Sequence, residues 1–84
     1  MTVETVGFTS TQVIEATGVT YRQLDYWCRE GWITSMIPAH GTGSVRVFSV
    51  AELMTVAVAV GLINRGWGTQ AAIAEAKDLL KAAL

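Results

Sequence analysis

Two T-x-x-Q patterns, one S-x-x-E pattern and a two-residue glycine corner predict a mainly α-helical domain with a small β-hairpin, about four helices in all. In a capping box the hydroxyl accepts from the third helical amide, and the longer side chain reaches back to the cap's own amide. Thr9 with Gln12, Thr20 with Gln23, and Ser49 with Glu52 place three helix starts. Each side-chain cap is worth about 1 kcal/mol. The length fits one domain over residues 1–84, because so short a chain buries only about 60% of the surface it exposes when unfolded.

The elements follow in order. Residues 1–7 read as a tail. The first helix runs from Ser10 to Thr17 with Val13, Ile14 and Ala16 on its apolar side. Gly18 ends it, being free to adopt a positive φ. Only Gly18 and Val19 separate this helix from the next cap, Thr20. A connection that short forces a sharp corner, so residues 9–31 form a helix-turn-helix unit. The second helix runs from Tyr21 to Glu30 and stops at Gly31. At about 100° per residue, Tyr21, Leu24, Trp27 and Cys28 fall on a side that can enter a core. Arg22, Asp25, Tyr26 and Arg29 share the other side.

Residues 33–48 read as a β-hairpin. Thr34–Ile37 is a short strand ended by Pro38, residues 39–43 are a glycine-rich tip, and Ser44–Phe48 alternates as the return strand. A hairpin directly after a helix-turn-helix is a wing. Two helices complete residues 49–84. Thr55–Val60 is β-branched enough to favour a sheet, but about 14 residues behind a cap exceed a typical strand. Val50–Asn64 is therefore read as helix. It is apolar nearly all round, which leaves part of it uncovered in so small a domain and offers a surface to a partner. Gly66-Trp67-Gly68 breaks it, and Thr69–Leu84 forms the last helix with Ile73, Ala76, Leu80 and Leu84 as its stripe.

Composition excludes several functions. With 51% hydrophobic and 15% charged residues, the chain is neither disordered nor a solvated tail. No apolar run reaches the roughly 18 residues of a membrane span. The N-terminus lacks the basic cluster of a signal peptide, so a cytoplasmic location is expected. One cysteine and one histidine leave no intramolecular disulfide, no thiolate metal site and little prospect of a catalytic dyad. Gly41-Thr42-Gly43-Ser44 lacks the lysine and spacing of a phosphate-binding loop. Neither an enzyme nor a cofactor, metal or small-molecule ligand is expected. Cys28, Trp27, Trp32 and Trp67 read as core.

The net charge of −1 is low for a nucleic-acid binder. The positive charge is nevertheless concentrated in the middle, where residues 20–48 carry Arg22, Arg29 and Arg46 against Asp25 and Glu30. The planar guanidinium fork suits both phosphate and guanine. Arg22 stands in the first turn of the second helix, the end that a helix-turn-helix protein points at base edges in the major groove. Thr20, Tyr21 and Tyr26 are candidate phosphate contacts, which position a protein without specifying sequence, and Arg29 is a further candidate DNA-binding residue on the same face. The competing reading is a solvated helix face in which Asp25 pairs with Arg22 at i−3 and Arg29 at i+4. On the wing, Arg46 and His40 are candidates for the flanking backbone or minor groove. Alternation puts Arg46 on the face of Phe48, so packing over an aromatic is an equal alternative, and His40 on its glycine-rich tip reads first as plain loop.

Phe8-Thr9, Val13, the run Thr17-Gly18-Val19-Thr20-Tyr21-Arg22-Gln23-Leu24-Asp25-Tyr26-Trp27, and Arg29-Glu30-Gly31-Trp32-Ile33 together resemble the N-terminal DNA-binding domain of MerR-type regulators. So do Arg46-Val47-Phe48-Ser49 at the end of the wing and Arg65-Gly66-Trp67 between the last helices. The resemblance covers residues 8–80. It implies a winged helix-turn-helix whose second helix enters the major groove while the wing grips the backbone. By position, Arg22 would be the recognition arginine, Tyr26 a backbone-contacting tyrosine and Arg46 the wing arginine. Asp25 departs from the pattern, standing where many members have a second arginine. The family usually continues into a coiled-coil helix and an effector domain. This chain is therefore expected to resemble stand-alone members, either small transcriptional regulators or phage excisionase-like proteins that bend DNA during recombination. The implied partners are double-stranded DNA, further copies of the chain along direct repeats, and RNA polymerase or a recombinase. A module that kept the fold but binds only protein is the alternative from another class, motivated by the acidic balance and the apolar surface.

Overall fold

In the computed structural model, which describes residues 7–36 and 46–83, helices begin where the capping patterns put them. The order is β1 (Phe8–Thr9), α1 (Ser10–Thr17), α2 (Tyr21–Arg29), β2 (Val47–Phe48), α3 (Val50–Asn64) and α4 (Thr69–Ala83). Thr9 and Thr20 close complete capping boxes. In the second, the Gln23 amide donates to Thr20 Oγ1 and the Thr20 amide to Gln23 Oε1, each at 3.0 Å. The third box closes only by half. Ser49 Oγ accepts from the Glu52 amide at 3.2 Å, but the Glu52 carboxylate turns to the Thr34 amide at 2.8 Å. That bond ties the segment after α2 to the start of α3.

The corner between α1 and α2 is built from three residues. Gly18 takes φ 80°, the left-handed region that costs an L-residue roughly 1–2 kcal/mol, and its amide returns to Ile14 O at 2.9 Å. Thr17 Oγ1 donates to Val13 O at 2.8 Å and accepts from the Val19 amide at 3.1 Å. Val19 itself is buried, so the turn is both hydrogen-bonded and anchored.

One core holds the helices together. Val13, Val19, Leu24, Trp27, Ile33, Phe48, Val56, Ala59, Ala72, Ile73 and Ala76 form it. Leu24 and Trp27 bring α2 into it, while Tyr21 stays 66% exposed. Tyr21 therefore leaves the core side expected from periodicity: it lies in the first turn, beyond the edge of what α1 and α3 cover. Ala16 is likewise exposed on α1. Of the three tryptophans, Trp27 is buried, Trp32 is half-buried and Trp67 is 42% exposed. Trp67 sits in the break between α3 and α4, where only the helix ends are available to cover it.

The β-branched run of α3 stays helical because its packing demands a helix. α3 lies along α4 and also touches α1. Its buried residues are Thr55, Val56 and Ala59, facing a partner whose buried residues include Ala72 and Ala76. Small side chains on both sides let the two helices approach closely. Thr55 Oγ1 donates to Ala51 O at 2.9 Å, so its burial leaves no polar group unsatisfied. Met54 and Val50 remain exposed on the outer side. No helix among the described residues is long and apolar enough to cross a membrane.

The sheet contains a strand that the sequence reading does not include. β2 pairs antiparallel with β1, Phe8 opposite Phe48 and Thr9 opposite Val47. The segment before the wing tip approaches the opposite edge of β2. There the Met36 amide donates to Val47 O at 2.6 Å, and Ser35 Oγ accepts from the Val47 amide at 3.1 Å and donates to Val47 O at 3.0 Å. Backbone groups alternate sides along a strand, so Val47 can serve residues 35–36 while its neighbour serves β1. Gly7 precedes β1 because a Cβ there would collide with Val47 Cγ1 and lie 3.1 Å from Met36 Cε. Ile37, Ser44 and the tip between them, His40 included, lie outside the described residues.

Trp27 is the largest fully buried side chain. Trp27→Ala is expected to cost about 3–5 kcal/mol, a large share of the roughly 4–13 kcal/mol available to a domain of this size. Urea unfolding followed by circular dichroism checks this; a loss below about 1 kcal/mol would contradict the core assignment.

Candidate nucleic-acid interface

Burial of Leu24 and Trp27 fixes how α2 is rotated, and the rotation decides which side chains face outward. Tyr21, Arg22, Tyr26 and Arg29 are exposed. Arg22 is the second residue after the Thr20 cap, in the first turn, and makes no ion pair among the described residues. Tyr26 is 50% exposed and stands edge-on to Trp32, the ring centroids 5.6 Å apart and the planes at 87°. That contact uses the body of the ring and holds Tyr26 in one orientation.

Asp25 organises the remaining cations. Its Oδ2 accepts from Arg29 Nε at 3.0 Å and lies 2.8 Å from Arg29 Nη2. Its Oδ1 accepts from Arg46 Nη1 at 2.9 Å. One carboxylate thus joins the recognition-type helix to the residue before β2, across 21 positions of sequence. Sequence leaves DNA contact and packing over Phe48 open for Arg46; in the structure the Asp25 carboxylate holds its guanidinium. The pairing of Asp25 with Arg29 is the i,i+4 pair expected; the pairing with Arg22 is replaced by Arg46. Hydrogen bonds from Arg46 first and Arg29 second hold the Asp25 carboxyl below the usual carboxylate range, and the same bond raises Arg46 above the ordinary guanidinium value. Cys28, half-buried behind this face, has its thiol pushed up by loss of solvent, the opposite of what a reactive thiolate needs.

Beside the exposed face of α2 runs an open groove of about 730 Å³. Arg22, Gln23, Tyr26 and Arg29 line one bank, and Gly68, Thr69 and Gln70 at the start of α4 line the other. A helix start presents amides without intrahelical partners and a partial positive charge. Gly68 has no side chain with which to cap them. Trp27, Trp32 and Ala71 also line the groove, so its surface is largely apolar, with Arg22 on one side and the start of α4 on the other. The α4 bank was invisible to sequence reasoning. Thr69-Gln70 after a Gly-Trp-Gly break signals a helix start, but nothing in the spacing says which neighbour that start faces.

The residues singled out from sequence thus divide. Thr20, Tyr21, Arg22, Tyr26 and Arg29 lie on or at the start of α2, and Arg46 meets them through Asp25. His40 lies outside the described residues.

Residues 8–82 match the family model described as MerR HTH family regulatory protein. Relatives described as uncharacterized HTH-type transcriptional regulators, from Mycobacterium bovis and Mycobacterium tuberculosis, are 34% identical to this chain over 64 residues. That stretch is 75% of this chain and 28% of each relative, so the chain spans less than a third of their length.

Asp25 has a consequence for acid stability. Because its folded value is depressed, the stability it contributes is complete above the unfolded-chain value near 3.9 and drains as pH falls through the lower folded value. The thermal midpoint of the native chain should therefore fall further between about pH 5 and about pH 2 than that of Asp25→Asn. Parallel curves for the two proteins would contradict the ion-pair geometry.

Proposed function

The chain belongs to the MerR HTH family of regulatory proteins, and we propose that this domain binds double-stranded DNA sequence-specifically as part of a transcriptional regulator. The observation that carries the reading is Arg22: exposed, in the first turn of α2, and unpaired among the described residues. A helix fits the major groove of B-DNA, and a bidentate arginine on guanine is the commonest specific contact. With Leu24 and Trp27 buried behind it, α2 enters the groove N-terminal end first. Thr20, Tyr21 and Tyr26 contact phosphate oxygens and fix the register.

Binding is cooperative in this reading. Non-specific affinity follows phosphate contacts, with a salt slope of about −0.9 per contact. A chain of net charge −1 making few such contacts holds DNA weakly as a single copy. Trp67, Met54 and Leu79 are 42%, 43% and 49% exposed and supply apolar area for a neighbouring copy on the same duplex. A head-to-tail contact of this kind propagates along direct repeats.

An unbiased duplex selection at stated salt supplies the site. Against it, Arg22→Ala is expected to cost about 1–3 kcal/mol and to relax base preference, whereas Arg46→Ala should weaken all sequences evenly. Unchanged affinity and preference in Arg22→Ala would reject the assignment. Titration of duplexes carrying one and three copies of the selected site checks the assembly: occupancy should rise more steeply on three, and independent filling would remove the cooperative part of the proposal.

A further inference from the structure

Building on the DNA-binding reading, we infer that Asp25 is an internal stand-in for a DNA phosphate, occupying the guanidinium groups of Arg29 and Arg46 and so restraining sequence-independent binding. Three observations carry this. Both carboxylate oxygens are engaged, Oδ2 by Arg29 and Oδ1 by Arg46, at 2.8–2.9 Å for the closest nitrogens. The two arginines come from opposite sides of the site, one from α2 and one from the approach to β2. Asp25 also leaves Arg22, the base-reading candidate, out of its embrace.

A carboxylate and a phosphate offer a guanidinium the same planar pair of acceptors. A duplex that seeks Arg29 or Arg46 must therefore displace or share an acceptor already in place, and it must bring its own negative charge up to that of Asp25. Random duplexes have only phosphate contacts to offer, so they feel this restraint in full. A matched site adds the contact of Arg22 to its bases, which Asp25 does not oppose. The tie from Asp25 to Arg46 also holds the base of the wing in one orientation relative to α2. A matched site benefits from that fixed register, while a random one gains nothing from it.

The test compares Asp25→Asn with Glu30→Gln, which removes the same charge five residues on from a carboxylate that makes no ion pair among the described residues. Binding to a random duplex and to the selected site is measured over a salt series, with a thermal melt of each protein. Asp25→Asn is expected to bind the random duplex several-fold more tightly at low salt. Its salt slope should steepen by roughly 0.9 for each guanidinium released, up to about 1.8 for both. Its preference for the selected site over the random duplex should narrow. A merely structural role would lower the melt without steepening the slope. Asp25→Ser provides a second neutral variant should the asparagine fail to fold. An unchanged slope in a folded variant overturns the inference, as does an equal effect from Glu30→Gln. A native chain that binds no duplex instead refutes the DNA-binding reading itself, and a native chain that binds with Asp25→Asn indistinguishable from it refutes only the role of Asp25.

Discussion

Everything on the functional face depends on the burial of Leu24 and Trp27. A nine-residue helix is too short to be stable alone in water, so tertiary packing supplies its stability and also dictates its rotation. With those two residues in the core, Arg22, Tyr26 and Arg29 have no direction available but outward. The corner strengthens the constraint. Gly18 at φ 80° and the buried Val19 leave no slack between α1 and α2, so the position of the Thr20 cap is set by α1. The aim of the helix is thus a by-product of core packing, and mutations that loosen the core would misdirect the face before they unfolded the domain.

Electrostatics on that face is arranged by subtraction. Three arginines stand near one another, yet a single aspartate takes two of them. The pair is partly exposed, Arg29 at 71% and Asp25 at 23% of side-chain surface, so its worth in stability is modest and falls with salt. Its geometric effect is larger than its energetic one. Arg46 belongs to the strand side of the fold, and its bond to Asp25, like that of Glu52 to the Thr34 amide, crosses between segments distant in sequence. Polar ties of this type add direction to the non-directional packing of the core beneath them.

The helices were legible in the sequence because capping is local. A hydroxyl and an amide three residues apart make the same bonds whatever surrounds them, and Thr9, Thr20 and Ser49 each mark a true start. The face of α2 was legible for the same reason, since 3.6-residue periodicity needs no partner to define it. Tyr21 shows where that argument stops: periodicity gives the angle of a side chain, not how far along the helix its cover extends. β1 left no trace at all, because two residues are too few to alternate. The bond from Asp25 to Arg46 was hidden by its separation in sequence, and any acid near any arginine would have read alike. The same holds for the α4 start across the groove, which comes from a segment about 40 residues further along the chain.

These features bear on how so weakly charged a domain would read DNA under the proposed function. Specific recognition in a genome calls for roughly 4–10 kcal/mol of preference over random sequence. One bidentate arginine supplies about 1–3 kcal/mol of that, and phosphate contacts supply none, since every duplex has them. A single copy of this face therefore falls short, and raising its positive charge would strengthen the wrong term. The proposed cooperative binding would supply the difference, because two copies held together on adjacent sites add their preferences while each keeps its low affinity for random DNA. On the proposed cooperative reading, the exposed Trp67, Met54 and Val50 would meet a neighbouring copy, and the proposed restraint by Asp25 would keep binding to random duplex low.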